Sequence, residues 1–378
     1  MKKHMIWACG LAAILGLSAC AGAKTGDTGT AAQGQAEKAA DTGKTYNFTV
    51  SNFYSTVNNH SLLTQAWCDE ITEKTDGRVT FEYYPGASLV SAANSYDSVL
   101  NGIVDIAMTA TANNPGVFPA MSLLELPQGY PDGWVGTQVC NDFTNYFTLD
   151  EFSSVKLLYT HTVSPLVIMG NVKIEKADDF KGTIVRTGSE LATATVAALG
   201  AQSYSCQITE LYEALTKNIV DAAISGKDIL DGFSINEVCD YVIDDPSYGK
   251  IGVVATFMNK QKWESLPEDI QKIFTEVSAG FAEAQGKCWK YEDLTAYDNF
   301  ESKGGTVIKL APEVSAELSE KLAPVNMEYI KSLQLPEKDV EEYQKFIADR
   351  IQYWSGQVPS DGDVMEWGTT YLKELGEE

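Results

Sequence analysis

The sequence predicts an α/β protein of two lobes facing one cleft, built on mostly parallel sheets. Three observations carry that expectation. The chain has 378 residues, 44% hydrophobic and 21% charged, enough apolar material for two ordinary cores. From Tyr46 onward, strand-like and helical patterns alternate over about 200 residues, as in a parallel sheet covered by helices on both faces. A segment running from Tyr96 to Met108 (Tyr96-Asp-Ser-Val-Leu-Asn-Gly-Ile-Val-Asp-Ile-Ala-Met108) also returns 116 positions later as Tyr212-Glu-Ala-Leu-Thr-Lys-Asn-Ile-Val-Asp-Ala-Ala-Ile224.

Residues 1–19 read as an export signal: Lys2 and Lys3 supply positive charge, and Met5 to Leu17 is apolar but too short to cross a bilayer as a stable helix. Leu17-Ser18-Ala19-Cys20 resembles the lipobox of bacterial lipoproteins, so Cys20 is expected to be acylated and to hold the chain on the outer side of a membrane. Residues 20–45 are rich in Ala, Gly, Thr, Gln and Lys. Such a segment cannot offset the entropy of ordering, and a flexible tether is expected.

Tyr46 to Val50 alternates as a strand, Ser61 to Thr75 has helical spacing, and Arg78 to Tyr84 alternates again before Pro85-Gly86, giving a β-α-β opening. Each copy of the repeat reads as a helix end, a left-handed cap and a buried strand. The caps fall on Gly102 and Asn218, the residue types that reach positive φ at least cost. Ligands of open α/β sheets sit beyond the carboxyl ends of strands, so Met108 to Ala110 and Ile224 to Gly226 are expected to face one cleft. Thr183 to Arg186 is a short strand, and Ser189 is placed to cap a helix from Glu190 to Leu199 that Gly200 stops. Arg186 thus stands where a strand gives way to a helix. A strand from Ile251 to Phe257 leads to Leu266-Pro267-Glu268-Asp269, a helix start with acids in its first turn. The helical pattern runs on to about Asn299, roughly 45 Å, long enough to brace both lobes. Helices near Pro312 to Ser332 and Pro336 to Trp354 precede an aromatic tail with Trp367 and Tyr371. The expected division puts 46–160 with 248–285 in the first lobe, and 161–247 with 286–378, C-terminal helices included, in the second.

Composition excludes several functions. Lys and Arg number 28 against 52 Asp and Glu, a net charge of −24, the wrong sign for a phosphate-backbone binder, so no nucleic-acid partner is expected. The only histidines are His4, His60 and His161, a scarcity that disfavours histidine-built metal sites and a Ser-His-Asp triad, and neither metal nor cofactor is expected. Beyond Cys20 the cysteines are Cys68, Cys140, Cys206, Cys239 and Cys288, odd in number and without CxxC spacing. Scattered thiols are expected rather than a disulfide framework. Glu210 and Glu213, three apart on a helix, read as a solvated face rather than an acid/base pair.

A series of individually weak motifs stands in order along the chain: Thr75-Asp-Gly-Arg-Val79, Tyr83-Tyr-Pro-Gly86, Gly102-Ile-Val-Asp105, Leu126-Pro127 and Asp178-Asp-Phe-Lys-Gly182 running into Val185-Arg186. Glu210-Leu-Tyr-Glu-Ala-Leu215, Val220-Asp221 and Met258-Asn-Lys-Gln-Lys-Trp263 with Leu266-Pro267 follow. With this order and spacing, Tyr46 to about Trp354 resembles the solute-binding subunits of TRAP transporters, the DctP-like family. The resemblance implies a two-lobed periplasmic-binding-protein fold with a hinge cleft, not an enzyme. It implies an extracytoplasmic receptor that closes on an organic acid and delivers it to the small and large membrane subunits of a permease driven by a sodium gradient.

In that family the arginine ending the strand after an Asp-x-x-Gly turn binds the ligand, and Arg186 occupies that position. Its chemistry agrees: a planar guanidinium stays charged and offers paired donors that match a carboxylate. Ser225 falls where many relatives carry an asparagine, and Ser164, Pro165 and Leu166 stand where some carry a second arginine. The other candidates around the cleft are Asn52, Tyr54, Thr109, Trp134, His161, Ser164 and Phe257, with Phe53 and Tyr130 among the nearby rings. One arginine among several rings suits a monocarboxylate with an apolar or aromatic body. The alternative is the solute-binding lipoprotein of an ATP-driven importer. An exported hydrolase is disfavoured because no Gly-x-Ser-x-Gly elbow is present.

Overall fold

The strands β1 (Tyr46–Ser51), β2 (Val79–Tyr84), β3 (Ile106–Ala110) and β4 (Val155–Thr162) follow one another in the computed structural model, which describes residues 43–377. They are followed by β5 (Val167–Gly170), β6 (Ile184–Thr187), β7 (Gln202–Ser205), β8 (Ala222–Ser225), β9 (Tyr241–Asp244), β10 (Val253–Asn259) and β11 (Thr306–Lys309). The signal, Cys20 and all but the end of the tether lie outside the described residues. Two sheets form, ordered β2-β1-β3-β10-β4 and β11-β9-β5-β8-β6-β7, with helices packed on them, so the α/β two-lobed architecture stands.

Both sheets are mostly parallel, as expected, with one reversed strand in each. β1 pairs in parallel with β2 and β3, β6 with β7 and β8, and β9 with β11. β10 runs antiparallel to β3 and β4, and β5 antiparallel to β8 and β9. Connectivity explains the reversals. β5 and β10 are the first strands laid down after the chain crosses from one sheet to the other, through 163–166 and 245–252. A strand arriving from the opposite lobe enters at the cleft end, so it runs against strands whose carboxyl ends point there.

The internal repeat is structural. The helices Ser95–Leu100 and Leu211–Thr216, like β3 and β8, begin 116 residues apart. Both caps are left-handed, Gly102 with φ 69° and Asn218 with φ 53°. The aspartate of each Val-Asp has the same task. Asp105 Oδ2 accepts from Thr49 N of β1 at 2.9 Å, and Asp221 Oδ2 accepts from Ile184 N of β6 at 2.8 Å. In each lobe a carboxylate therefore fixes the register of the parallel neighbour at the strand start.

The helix Glu268–Ser302 has 35 residues, roughly 52 Å at 1.5 Å per residue. Its Phe274, Val277 and Phe281 pack with Phe48 and Trp67 of the first lobe, while Ala296 and Phe300 enter the core of the second with Leu211 and Val242. It braces both lobes. The helix Pro312–Ser332 places Leu318 and Leu322 in the second lobe. The later helices do not join the second lobe as the sequence-based division places them. Ile347 and Ile351, on the helix Glu337–Ser355, pack with Val135, Val139 and Phe143 of the first lobe, and Leu372 also lies in a first-lobe core. An apolar stripe reports that a helix needs a partner face, not which sheet supplies it. Among the described residues the five cysteines are unpaired, and no helix is long and apolar enough to cross a membrane.

Candidate functional site

A cavity of about 140 Å³ opens between the lobes, at the carboxyl ends of parallel strands from both. The first lobe supplies Phe53 and Tyr54 just past β1, Ala110 at the end of β3, and Glu125. The second supplies Arg186 from β6, Gln207 past β7, and Ile224, Ser225 and Gly226 at the end of β8. Both crossovers contribute, through Val163 and Leu166 in one and Lys250 to Gly252 in the other. The two copies of the repeat thus meet across this space, as Ala110 and Ile224 to Gly226.

Arg186 is buried, only 6% exposed. Its strand ends at Thr187, and Ser189 then caps the helix Glu190–Leu199 by accepting from Ala192 N at 3.2 Å. Gly200, at φ 93°, ends that helix. The guanidinium donates from Nε and Nη2 to the carbonyl of Cys206 at 3.0 and 2.8 Å. No carboxylate among the described residues lies within ion-pair distance. The other two arginines behave differently: Arg78 pairs with Asp269 and Arg350 with Asp142. Burial draws the Arg186 pKa down, but an arginine stays charged, so a cation faces the cavity with its outer edge unmatched.

Three further titratable groups share the walls. Lys250 is 3% exposed, and its Nζ makes no hydrogen bond. Burial pulls its pKa down to about 8, against the opposing pull of Glu125. Glu125 accepts from Thr111 Oγ1 at 2.9 Å, and burial pushes its carboxyl up. Asp228 is pushed up to about 7 by burial and by Asp293, and its Oδ1 has no partner. Two cations and two carboxyls that resist ionisation suit an anion better than a cation.

Of the nine residues singled out from the sequence, Arg186, Ser225 and Tyr54 are brought together here. The other six stand behind the walls. Asn52 supports Tyr54: its Oδ1 accepts from Tyr54 N and Ser61 Oγ at 3.2 Å, and its Nδ2 donates to the Tyr83 hydroxyl at 2.7 Å. Thr109 points to the opposite side of β3 from Ala110 and donates to the Ala92 carbonyl. Phe257 packs edge-on against Tyr96 in the core, and Trp134 lies edge-on to Trp354. His161 is buried, its Nε2 facing His60 Nδ1 at 3.0 Å, and burial pulls its pKa down to about 3. Ser164 donates to the Trp289 carbonyl at 3.2 Å. Among residues not foreseen, Glu125 carries a readable signal as an acid inside the apolar run Leu123 to Leu126, and Lys250 directly precedes the apolar strand at Ile251. The site is expected from the sequence to hold one arginine among rings; Lys250 adds a second buried cation to its walls.

Residues 52–332 match the bacterial extracellular solute-binding proteins, family 7, known as DctP. The chain belongs to that family. It is 25% identical over 266 residues to the C4-dicarboxylate-binding periplasmic protein DctP of Rhodobacter capsulatus, a match covering 69% of this chain and 79% of that protein. A TRAP periplasmic solute binding protein from Desulfovibrio salexigens, solved as an open complex, superposes on it with a TM-score of 0.72 at 25% identity, covering 84% of this chain and 99% of the other. A TRAP solute binding protein from Rhodoferax ferrireducens, solved with copurified benzoate, shares the fold with a TM-score of 0.76 at 22% identity, covering 82% and 99%. The DctP family and its fold are those of substrate-binding transport proteins. An ATP-driven importer finds no support in these relatives.

Proposed function

We propose that this DctP-family chain is the extracytoplasmic receptor of a TRAP transporter, and that it binds an organic acid through Arg186 and hands it to the small and large membrane subunits. The acid is a monocarboxylate with an apolar or aromatic body. The observation that carries this reading is Arg186 itself: buried, oriented by a backbone carbonyl, without a carboxylate partner among the described residues, and open to a cavity walled by Phe53, Tyr54, Ile224 and Phe233. A ligand carboxylate supplies the missing charge complement, and the rings take an apolar body. The relative solved with benzoate supports the same chemistry.

No step of the cycle is catalytic. The acid docks on Arg186 of the second lobe, the crossovers at 163–166 and 245–252 bend, and the first lobe closes with Phe53 and Tyr54 over the body. The permease reads the closed form. The lipobox-like Leu17 to Cys20 supports anchoring through an acylated Cys20, and Cys20→Ala is then expected to move the protein from the membrane to the soluble fraction.

Thermal shift against a panel of organic acids tests the receptor reading. An acid present at about 100 times its dissociation constant adds about 2.7 kcal/mol of stability. No shift with any acid, but one with sugars or cations, would overturn it.

A further inference from the structure

We infer that Lys250 is a second recognition point in the cavity, and that the acid carries a second oxygen acceptor (a keto or hydroxyl oxygen) which this ammonium takes. The inference rests on the proposed reading of the cavity as an organic-acid site.

An ammonium carries three donors and is costly to bury unpaired. Lys250 is 3% exposed, its Nζ is shut off from bulk water, and that Nζ has no hydrogen-bond partner among the described residues. The obvious internal partner acts on it only at a distance. Glu125 lines the same cavity and pulls on Lys250 electrostatically, yet its carboxyl accepts from Thr111 Oγ1 at 2.9 Å and forms no close ion pair with Lys250. Asp228, the other acid of the lining, likewise makes no ion pair with Lys250. A buried lysine that forgoes both carboxyls of its own cavity has its donors in reserve.

The two cations also come from different parts of the fold. Arg186 belongs to β6, whereas Lys250 belongs to the crossover that leads back to the first lobe. A ligand engaging both ties the crossover to the second lobe, so the second contact couples recognition to the segment that must bend. A ligand with a single carboxylate and no other polar atom satisfies Arg186 and leaves Lys250 buried and unpaired. Such a ligand is discriminated against by the penalty for the orphaned group rather than by a clash.

The test is calorimetric titration of wild-type protein, Lys250→Met and Lys250→Gln with benzoate and with three matched second-acceptor probes: 3-hydroxybenzoate, phenylglyoxylate and mandelate. At least one of the three is expected to bind the wild type about tenfold or more tightly than benzoate, the ratio set by one charge-assisted hydrogen bond. Lys250→Met is expected to erase that advantage, and Lys250→Gln, which keeps an N–H donor, to retain part of it. An advantage that survives Lys250→Met, or equal wild-type affinity for benzoate and all three probes, overturns the inference and leaves the acid-receptor reading standing. Absence of binding by every probe, benzoate included, counts against both.

Discussion

The Arg186 guanidinium spends its Nε edge on one backbone carbonyl, that of Cys206, with Nε and Nη2 at 3.0 and 2.8 Å. β6 and β7 run side by side with Arg186 opposite Tyr204, so the carbonyl two residues further on is placed by the sheet itself. The plane of the guanidinium is therefore set before any ligand arrives. The Nη1 and Nη2 edge remains, in the end-on geometry that a carboxylate meets with two parallel hydrogen bonds. Preorganisation of this kind removes part of the ordering cost of binding.

Gly188 is the near neighbour of that edge. A Cβ built on it lies 3.0 Å from both Nη1 and Nη2, tighter than ordinary contacts allow. Gly188→Ala is expected to displace the guanidinium and weaken acid binding about tenfold by calorimetry, with the unfolding midpoint little changed. Unchanged affinity would show that the edge beside Gly188 is not the one used.

Asp228 sets a pH signature. Its carboxyl, raised to about 7, keeps its proton in the fold over a range in which an unfolded aspartate, near pKa 3.9, has lost it. The folded state binds more protons between those values, so stability falls as pH rises from about 4 to 7 and then levels. His161, held down to about 3, works in the opposite sense below pH 6.5, but equally in wild type and variant. Denaturant titrations of Asp228→Asn are thus expected to show a stability gain over wild type that grows from pH 4 to 7 and is constant above. A gain independent of pH would contradict the buried, protonated carboxyl.

Asp142 fastens the helix Glu337–Ser355 to the first lobe. Its Oδ2 accepts from Arg350 Nε at 2.6 Å and from Trp354 Nε1 at 2.7 Å. Both side chains of the ion pair are about 30% exposed, so the loss on Asp142→Ala is held to about 1–2 kcal/mol. The variant is expected to lower the denaturant midpoint while leaving acid affinity unchanged. A change in affinity would mean that the docked helix acts on the cleft.

What could be read from the sequence was what local pattern dictates. Gly102 and Asn218 announced their left-handed caps by residue type, Ser189 and Gly200 bounded a helix, and the recurrence of Val-Asp announced two equivalent strands. Arg186 was legible because arginine is scarce and stands at a strand end. Thr109 failed by one residue, since alternation along β3 sends Ala110, not Thr109, toward the cavity. His161, Trp134 and Phe257 failed because a ring near a cleft and a ring in a core look alike until packing is known. Lys250 was hidden among many lysines: its burial comes from the chain crossing between sheets, a long-range fact with no local pattern.

The central claim is that Arg186 anchors a carboxylate. Mass spectrometry of natively purified wild-type protein and Arg186→Lys, with bound small molecules released and quantified, tests it most directly. The account predicts an organic acid on the wild type and at least about tenfold less on the variant, with both proteins folded. Equal occupancy of the same acid in the two proteins would contradict it.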